Sequence, residues 1–295
     1  MTKSYIATPR RTTEILRTYH FTFKKSLGQN FIIDVNILKK MIEHAHIDKE
    51  TGVIEVGPGI GSLTEQLAIY ANKVVAFEID DRLLPILNET LADYDNVAII
   101  HADILKVDLN SVIEEHFADL KIIQLVSNLP YYITTPILMH ILQTAPAIEK
   151  MTVMLQKEVA ERMNAKPNTK DYGSLSIAVQ YYTETKIVMD VPKTVFIPQP
   201  NVTSSVLVLK RREKPLVQVD DEALFFRVVK ASFAHRRKTI RNNLFSHFKK
   251  TIAKEHLLQA LKRAEIDESL RAEALTIEQF ARLANEIGKF VSENT

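Results

Sequence analysis

Short apolar runs rich in β-branched residues alternate with amphipathic stretches from about residue 53 to residue 130. Each run is long enough for one strand, and each intervening stretch is long enough for a short helix. Nearly continuous apolar strands separated by helices are typical of a parallel sheet that is covered on both faces. The runs are Val53–Val56, Val74–Glu78, Val97–Ile100 and Ile122–Val126.

Helical periodicity fills the segments between these runs. It predicts helices at Ser62–Tyr70, with Ser62 as the N-cap, at Asp81–Tyr94 and at Leu109–Phe117. Further strand candidates follow, namely Met151–Leu155 and a long pair at Ser176–Val191 and Ser205–Leu209. The pattern therefore predicts an α/β fold with a sheet of about seven strands, of which the last three run partly antiparallel.

The alternation stops beyond Arg212, and only helical patterns follow. They predict a small all-α domain after a first domain of residues 1–210, so the second domain covers residues 211–295. The boundary is placed near Arg211–Pro215. The predicted helices are Asp221–Phe233, Arg236–Phe248, Lys254–Ala264 and Thr276–Glu286.

The composition excludes several classes of protein. With 46% hydrophobic residues and no apolar run of 18, the chain reads as a globular protein that does not span a membrane. The absence of cysteine excludes disulfides and thiolate metal sites, and the basic N-terminus lacks the apolar core of a secretory signal. We expect a cytoplasmic protein, and a monomer because no hydrophobic stripe requires an oligomer.

The net charge of +2 hides an uneven distribution of charge. From Lys210 to Lys250 twelve Lys and Arg residues stand against four acids, and from Met1 to Lys25 six stand against Glu14. Such basic segments are typical of a protein that binds a polyanion. The alternative is that these basic helices are only solvated faces.

A glycine-rich turn follows the first predicted strand. Three of the seven glycines of the chain lie in Gly57-Pro58-Gly59-Ile60-Gly61, where a tight turn at a helix N-terminus allows a ligand to approach the backbone. Glu78 closes the second strand at the spacing from which an acid can hydrogen-bond both hydroxyls of a ribose. A dinucleotide and an adenosyl ligand fit these two features equally well.

Asp103, after the third strand, favours the adenosyl ligand. Its carboxylate can accept from the exocyclic amine of adenine, whereas a pyrophosphate cofactor gains nothing from a further negative charge. The strand-end residues Gly57, Glu78, Asp103 and Asn128 suit the cationic S-adenosylmethionine, and no metal site is expected. Taken alone, Asp103 could equally be a helix cap.

Amide side chains also precede the helix predicted near Asp34. Gln29 and Asn30 lie in the turn Lys25-Ser26-Leu27-Gly28-Gln29-Asn30-Phe31 and could hold the amino-acid tail of the cofactor. An ordinary loop at the entry to a helix is an equally good interpretation.

Asn128-Leu129-Pro130-Tyr131 closes the fourth strand with the groups that an aromatic amine needs. The side-chain oxygen of Asn128 and the main-chain carbonyl of Leu129, held rigid before Pro130, can both accept from an adenine N6 amine and turn its lone pair toward an electrophile. Tyr131 would stack on the base. The alternative is a strand that ends at a proline beside a buried tyrosine.

A proline-stiffened segment supplies a second aromatic ring. In Phe196-Ile197-Pro198-Gln199-Pro200-Asn201-Val202-Thr203-Ser204 the alternate prolines favour an extended backbone that could present Phe196 to the other face of a flipped base. The alternative places the Phe196 ring in the core.

In this order, these motifs resemble those of the ribosomal RNA adenine dimethyltransferase family, most closely its bacterial small-subunit (16S) branch of the kasugamycin-resistance type. They span Lys24 to Ser204, no motif position departs from the family pattern, and the C-terminal domain with His235-Arg236-Arg237-Lys238 is similar as well. The resemblance implies a Rossmann-like methyltransferase sheet with a helical RNA-binding domain.

The resemblance also implies residue roles. The target would be two adjacent adenines in the 3′-terminal hairpin loop of 16S ribosomal RNA, within an immature small subunit, and S-adenosylhomocysteine would be the product. Asn128, Leu129, Pro130, Tyr131 and Phe196 would hold the base. The cofactor would be bound by Asn30, Ile32, Gly57, Gly59, Glu78, Asp103 and Asn128. RNA contacts are predicted for Lys24, Lys25, Arg236, Arg237, Lys238 and Arg241.

Other functions compete with this interpretation. A methyltransferase of the large-subunit RNA that gives macrolide resistance shares the fold and motifs, and DNA adenine methylation is a further specificity. An assembly or transcription factor that has lost catalysis would show degenerate motifs, and these are intact. A nicotinamide-dependent oxidoreductase is disfavoured by Asp103 and by the Asn128–Tyr131 motif.

Overall fold

The computed structural model describes residues 4–24 and 27–292. Within these ranges seven strands form one sheet in the order β4-β3-β2-β5-β6-β9-β7, and two short strands, β1 and β8, pair apart from it. The strands are β1 (Phe31–Ile32), β2 (Thr51–Val56), β3 (Lys73–Glu78), β4 (Val97–His101), β5 (Ile122–Asn128), β6 (Ile148–Gln156), β7 (Thr183–Val191), β8 (Phe196–Ile197) and β9 (Ser204–Arg211).

The centre of the sheet is parallel, as the continuous apolar runs predict. Strand β2 lies between β3 and β5, and every residue of β2 is buried. Strands β4 and β6 continue the sheet in parallel on either side, whereas β9 runs antiparallel to β6. The predicted α/β sheet with an antiparallel end is therefore confirmed, and the carboxyl ends of β2 to β5 meet at one edge.

Helices alternate with these strands along the chain. They are α1 (Pro9–Thr18), α2 (Val35–Ala45), α3 (Ser62–Tyr70), α4 (Leu84–Thr90), α5 (Leu109–Phe117), α6 (Thr134–Thr144) and α7 (Lys157–Asn164). The carboxylates of Asp34 and Asp108 cap α2 and α5 by accepting from main-chain N–H groups of their first turns.

Two predicted helix starts differ from the structure. Gly61, and not Ser62, is the N-cap of α3, because its φ of 90° is a left-handed conformation that glycine adopts without strain. The helix predicted at Asp81–Tyr94 is a single 3₁₀ turn at Asp81–Leu83 followed by the short α4.

The described residues form two compact units. The first runs to Ala160 and resumes at Thr185–Arg211, and the second contains Glu161–Glu184 and the chain from Arg212 onward. A single break near Arg211–Pro215 therefore leaves out the segment 161–184, which belongs to the second unit. This segment contains α8 (Ser174–Tyr182), where the long strand candidate Ser176–Val191 was predicted, so that prediction is wrong over its first half.

The second unit is helical and has its own core. Tyr181 of α8 packs against Phe225, with ring centroids 5.2 Å apart, and aromatic and aliphatic side chains of the later helices complete this core. The later helices are α9 (Glu222–Ser232), α10 (Ile240–Phe248), α11 (Lys254–Arg263) and α12 (Ile277–Ser292). Every helix in the described part of the chain is too short or too polar to cross a bilayer.

Candidate active site

A cavity opens at the carboxyl edge of the parallel strands, with about 970 Å³ of empty space that is partly open to solvent. The strand ends place polar groups there because parallel strands direct their last residues to the same edge. The lining includes all predicted cofactor and base-holding residues except Phe196: Asn30, Ile32, Gly57, Gly59, Glu78, Asp103, Asn128, Leu129, Pro130 and Tyr131.

The glycine turn between β2 and α3 forms one wall of this cavity. Gly57 and Gly59 have φ angles of 71° and 61°, which other residues adopt only with strain. A Cβ at Gly59 would lie 2.8 Å from the Phe31 ring, so this position also needs glycine for space. The turn leads directly into α3. The first main-chain N–H groups of that helix point out of its N-terminal end, toward the turn.

Glu78 is held by main-chain donors at the end of β3. Its Oε1 accepts from the N–H of Asp80 at 2.8 Å. Burial raises the pKa of Glu78, and N–H groups of Asp80, Gly59 and Ile79 oppose that rise by favouring the charged form. The carboxylate is thus fixed in place beside the glycine turn, where it can accept from hydroxyl groups.

Asp80, two residues further, ties the N-terminal loop to the sheet. Its carboxylate accepts from Arg82 at 2.5 Å and from the Gln29 amide at 2.8 Å, and the Lys24 ammonium lies 3.6 Å away. The bond from Arg82 holds the pKa of Asp80 down to about 2 against the effect of burial. Gln29 therefore anchors the loop, and its predicted contact with the amino-acid tail of the cofactor stays a prediction.

Asp103 and Asn30 each combine a local bond with a place in the lining. Asp103 Oδ1 accepts from the N–H of Leu105 at 3.1 Å and caps the 3₁₀ turn Ile104–Lys106, as its alternative interpretation expected. The Asn30 side chain donates to the carbonyl of Gly28 at 2.9 Å. Both residues still line the cavity, so capping and ligand binding are compatible.

Asn128 closes β5, and one of the two polar atoms of its side-chain amide has a partner. Its Nδ2 donates to the carbonyl of Asn30 at 3.3 Å. Its Oδ1 is buried and has no hydrogen-bond partner within residues 4–24 and 27–292. A buried acceptor without a donor is costly unless a ligand supplies one, so this oxygen marks a point at which a donor binds.

Each of the three residues after Asn128 makes a hydrogen bond to another part of the first unit. The N–H of Leu129 donates to Met154 of β6 at 3.0 Å, and the carbonyl of Pro130 accepts from the Thr134 hydroxyl at 3.0 Å. The hydroxyl of Tyr131 is hydrogen-bonded to that of Ser204 at 2.5 Å. The rigid backbone that the proline predicts is therefore reinforced by tertiary contacts.

Phe196 is the base-holding residue that the structure does not bring to the cavity. Its side chain is 1% exposed and packs in the core with residues such as Leu38 and Val206. Strand β8 pairs with β1, which places Phe196 opposite Ile32 and turns the ring inward. The Phe196 ring therefore lies in the core, as the alternative interpretation places it, and its stacking on a base stays a prediction.

Glu55 and Tyr132 are among the lining residues that sequence reasoning missed. Glu55 of β2 is 1% exposed, and burial raises its pKa to about 8, with a contribution from the charge of Glu78. An acid inside an otherwise apolar strand is the signal that could have identified it. Tyr132 is 47% exposed at the rim, where its ring contacts the Gly28 turn, and nothing in the sequence separates it from Tyr131.

The predicted RNA-binding residues lie on different units. In the first unit Lys24 is near Asp80, while Lys25 lies outside the described residues. In the second unit Arg236 donates to the carbonyl of Lys170, and Arg241 pairs with Glu268 at 2.6 Å. Arg237 and Lys238 are exposed in the loop before α10.

The donors and acceptors of the cavity fit S-adenosylmethionine. Among the residues that the structure describes, the lining offers acceptors for the hydroxyl, amine and ammonium groups of that molecule: the carboxyl groups of Glu55, Glu78 and Asp103, and Asn128 Oδ1, which is buried there without a partner. The carboxylates of Glu78 and Asp103 would repel a pyrophosphate group. Over the residues that the structure describes, His, Asp and Glu side chains form no cluster that could hold a metal ion.

Comparison with known proteins agrees with a methyltransferase site. Residues 20–289 match the family described as ribosomal RNA adenine dimethylase. The chain is 57% identical to the ribosomal RNA small subunit methyltransferase A of Oceanobacillus iheyensis, over 99% of both chains. It is 57% identical to the protein of the same name from Listeria innocua, over 98% of both.

Solved structures share the fold. The crystal structure of the 23S rRNA methyltransferase ErmE matches with a TM-score of 0.64 and 28% identity, over 88% of this chain and 99% of that one. A dimethyladenosine transferase from Plasmodium falciparum matches with a TM-score of 0.73 and 24% identity, over 88% and 98% of the two chains. The latter likeness concerns the fold alone.

Proposed function

The chain belongs to the ribosomal RNA adenine dimethylase family, and from that premise we propose that it transfers methyl groups from S-adenosylmethionine to N6 of two adjacent adenines in the 3′-terminal hairpin loop of 16S ribosomal RNA. The observation that carries the proposal is Asn128 Oδ1, which is buried and lacks a partner among the described residues, in the same acid-lined cavity as Tyr131. An amine donor and an aromatic base are the ligand that this pair of side chains fits.

The cofactor-side residues bind and orient. When bound, S-adenosylmethionine supplies a methyl group activated on a sulfonium. Glu78 would accept from its ribose hydroxyls and Asp103 from its adenine amine, while the glycine turn leaves room for it at the N-terminus of α3. Glu55, buried deeper in the lining, would supply an acceptor for a cationic group.

The base-side residues prepare the nucleophile. The N6 lone pair of adenine is delocalised into the ring, so the amine is a poor nucleophile. Asn128 Oδ1 and the carbonyl of Leu129 would each accept one N–H bond and favour a pyramidal nitrogen whose lone pair faces the methyl group. Tyr131 would stack on the ring of the base. Methylation leaves a cationic amine on the adenine, and this amine would lose its proton to water without a strong base.

The two compact units would divide the work. We assign the methyl transfer to the first unit and RNA binding to the second, whose loop before α10 carries Arg237 and Lys238 in exposed positions. The target loop is single-stranded, so extrusion of an adenine costs little. We propose an immature small subunit as the substrate and a monomer acting in the cytoplasm.

The decisive experiment is incubation of the protein with methyl-labelled donor and small subunits that lack the modification. The label should map to two adjacent adenines of the 3′-terminal hairpin, and primer extension should stop there. Large subunits treated in the same way should stay unlabelled. Label on 23S RNA alone would replace the proposal with the large-subunit specificity, and label on neither RNA would end it.

A further inference from the structure

Tyr131 is held from outside its own segment. Its hydroxyl lies 2.5 Å from the Ser204 hydroxyl, 73 residues further along the chain. The phenol is largely buried, and burial raises the pKa of Tyr131, so the ring carries a neutral hydroxyl at physiological pH. A neutral phenol can donate to Ser204 or accept from it, so the bond holds whichever of the two is the donor.

Ser204 is itself rigidly placed. It is the first residue of β9, is 0% exposed and stands opposite Gln156 in the antiparallel pair with β6. One residue earlier, the carbonyl of Thr203 accepts from the N–H of Lys157 at 3.0 Å. The serine hydroxyl is therefore a fixed point, and a bond to it restricts the rotation of the Tyr131 side chain.

This bond changes how the proline-rich segment serves the site. The segment ends at Ser204, eight residues after Phe196, whose ring lies in the core. Of the two rings predicted to sandwich the base, Tyr131 is thus the one that lines the cavity. Because the Phe196 ring is not at the cavity in this structure, the orientation of Tyr131 matters more.

We propose that Ser204 is a positioning residue, which holds the hydroxyl of Tyr131 and so fixes its ring at the angle that stacks on the target adenine. The inference rests on the methyl-transfer function proposed above. Loss of the bond should leave the ring in place but free to turn, because the tyrosine backbone is held separately through Leu129 and Pro130. Turnover should fall, whereas cofactor binding should not.

The test is a double-mutant cycle on the full chain with undermethylated small subunits. Ser204→Ala and Tyr131→Phe should each lower kcat/KM for the RNA about three- to tenfold, the range expected for one hydrogen bond. The double variant should be no worse than either single one, since both remove the same bond. Titration calorimetry should show an unchanged Kd for S-adenosylmethionine in all three variants.

Ser205→Ala is the matched control. Ser205 is also buried at the start of β9, but its hydroxyl donates to Asp190 at 2.7 Å and does not contact Tyr131. Ser205→Ala should lower the Tm by about as much as Ser204→Ala and leave kcat/KM unchanged. If Ser204→Ala perturbs folding, Tyr131→Phe examines the same bond without touching β9.

Three results would overturn the inference: full activity of Ser204→Ala, single defects that multiply in the double variant, or an equal loss of activity in Ser205→Ala. A wild-type protein that methylates no adenine would instead overturn the proposed function and, with it, this inference. Activity of the wild type in the same assay therefore separates the two failures.

Discussion

The side-chain amide of Asn128 donates to the main-chain carbonyl of Asn30 at 3.3 Å, which ties the end of β5 to the loop that precedes β1. The bond settles which way the amide points, because its nitrogen is occupied and its oxygen is left buried without a partner in the described part of the chain. Two segments that are 98 residues apart thus create one acceptor. We assign this acceptor to the amine of the target adenine.

Asn128→Ala should lower kcat on the order of 10²-fold, as the loss of one group that stabilises a transition state does. The Kd for S-adenosylmethionine should stay within about threefold, because Glu78 and Asp103 remain. Steady-state kinetics on undermethylated subunits and titration of the donor measure the two effects. Asn110→Ala, at an exposed position outside the cavity, is the control, and an equal loss of both quantities would mean that Asn128 only binds the cofactor.

Glu55 should make stability depend on pH. Its folded pKa of about 8 lies above the ordinary value of 4.5, so the folded state holds the proton more tightly than the unfolded state. The stability that this bound proton contributes is complete below pH 4.5, and it is lost as the pH rises through the folded pKa of Glu55. The Tm of the wild type should therefore fall relative to that of Glu55→Gln between about pH 5 and about pH 8.

Calorimetry across that pH range measures the difference. Glu50→Gln, at an exposed position, serves as the control and should follow the wild type at every pH. Parallel curves for the wild type and Glu55→Gln would contradict the raised pKa.

Asp80→Asn should destabilise the protein by about 2 kcal/mol near neutral pH, the value that a carboxyl pKa held near 2 implies. The depressed pKa contributes stability above the unfolded value of 3.8, and this contribution is lost as pH falls through 2. Urea unfolding should show a large difference in unfolding free energy between the wild type and Asp80→Asn at pH 7. At pH 2.5 the difference should be small. Amide exchange in the Gln29 loop should also become faster.

Asp81→Asn is the neighbouring control for this prediction, since Asp81 is exposed and lies one residue from Asp80. If both variants lose the same stability at pH 7, the bonds from Arg82 and Gln29 do not anchor the loop.

Phe196→Ala should cost about 3–5 kcal/mol of unfolding free energy, as removal of a fully buried aromatic ring does. Phe23→Ala, at a ring that is 37% exposed, should cost less. Urea denaturation measures both. A Phe196→Ala variant of normal stability and low turnover would contradict the core role and support the predicted stacking of this ring on the base.

Replacement of Arg237 and Lys238 by serine should weaken RNA binding and lower the slope of log K against log salt by about one for each phosphate that the variant no longer binds. Arg241→Ser should have a smaller effect, because that side chain is already paired with Glu268. Filter binding over a series of salt concentrations measures the slopes. A weaker affinity for S-adenosylmethionine in these variants would contradict the division of work between the two units.

The alternation of apolar strands and helices was readable from the sequence because it depends on local periodicity. The parallel pairing of the central strands, the glycine turn and the polar residues at strand ends all follow from that pattern and from short spacings. The run at Ser174–Tyr182 shows where local pattern fails. It is rich in apolar residues and reads as a strand, but it forms a helix because Tyr181 packs on Phe225 in the helical unit.

The amino-acid sequence by itself determined the α/β sheet, the family and ten of the residues that line the cavity. Tertiary structure decided that Phe196 lies in the core, that burial raises the pKa of Glu55 inside the lining and that Ser204 holds Tyr131. The physical reason is that burial and hydrogen bonding depend on partners far away in the chain, whereas strand and helix periodicity depend on neighbours.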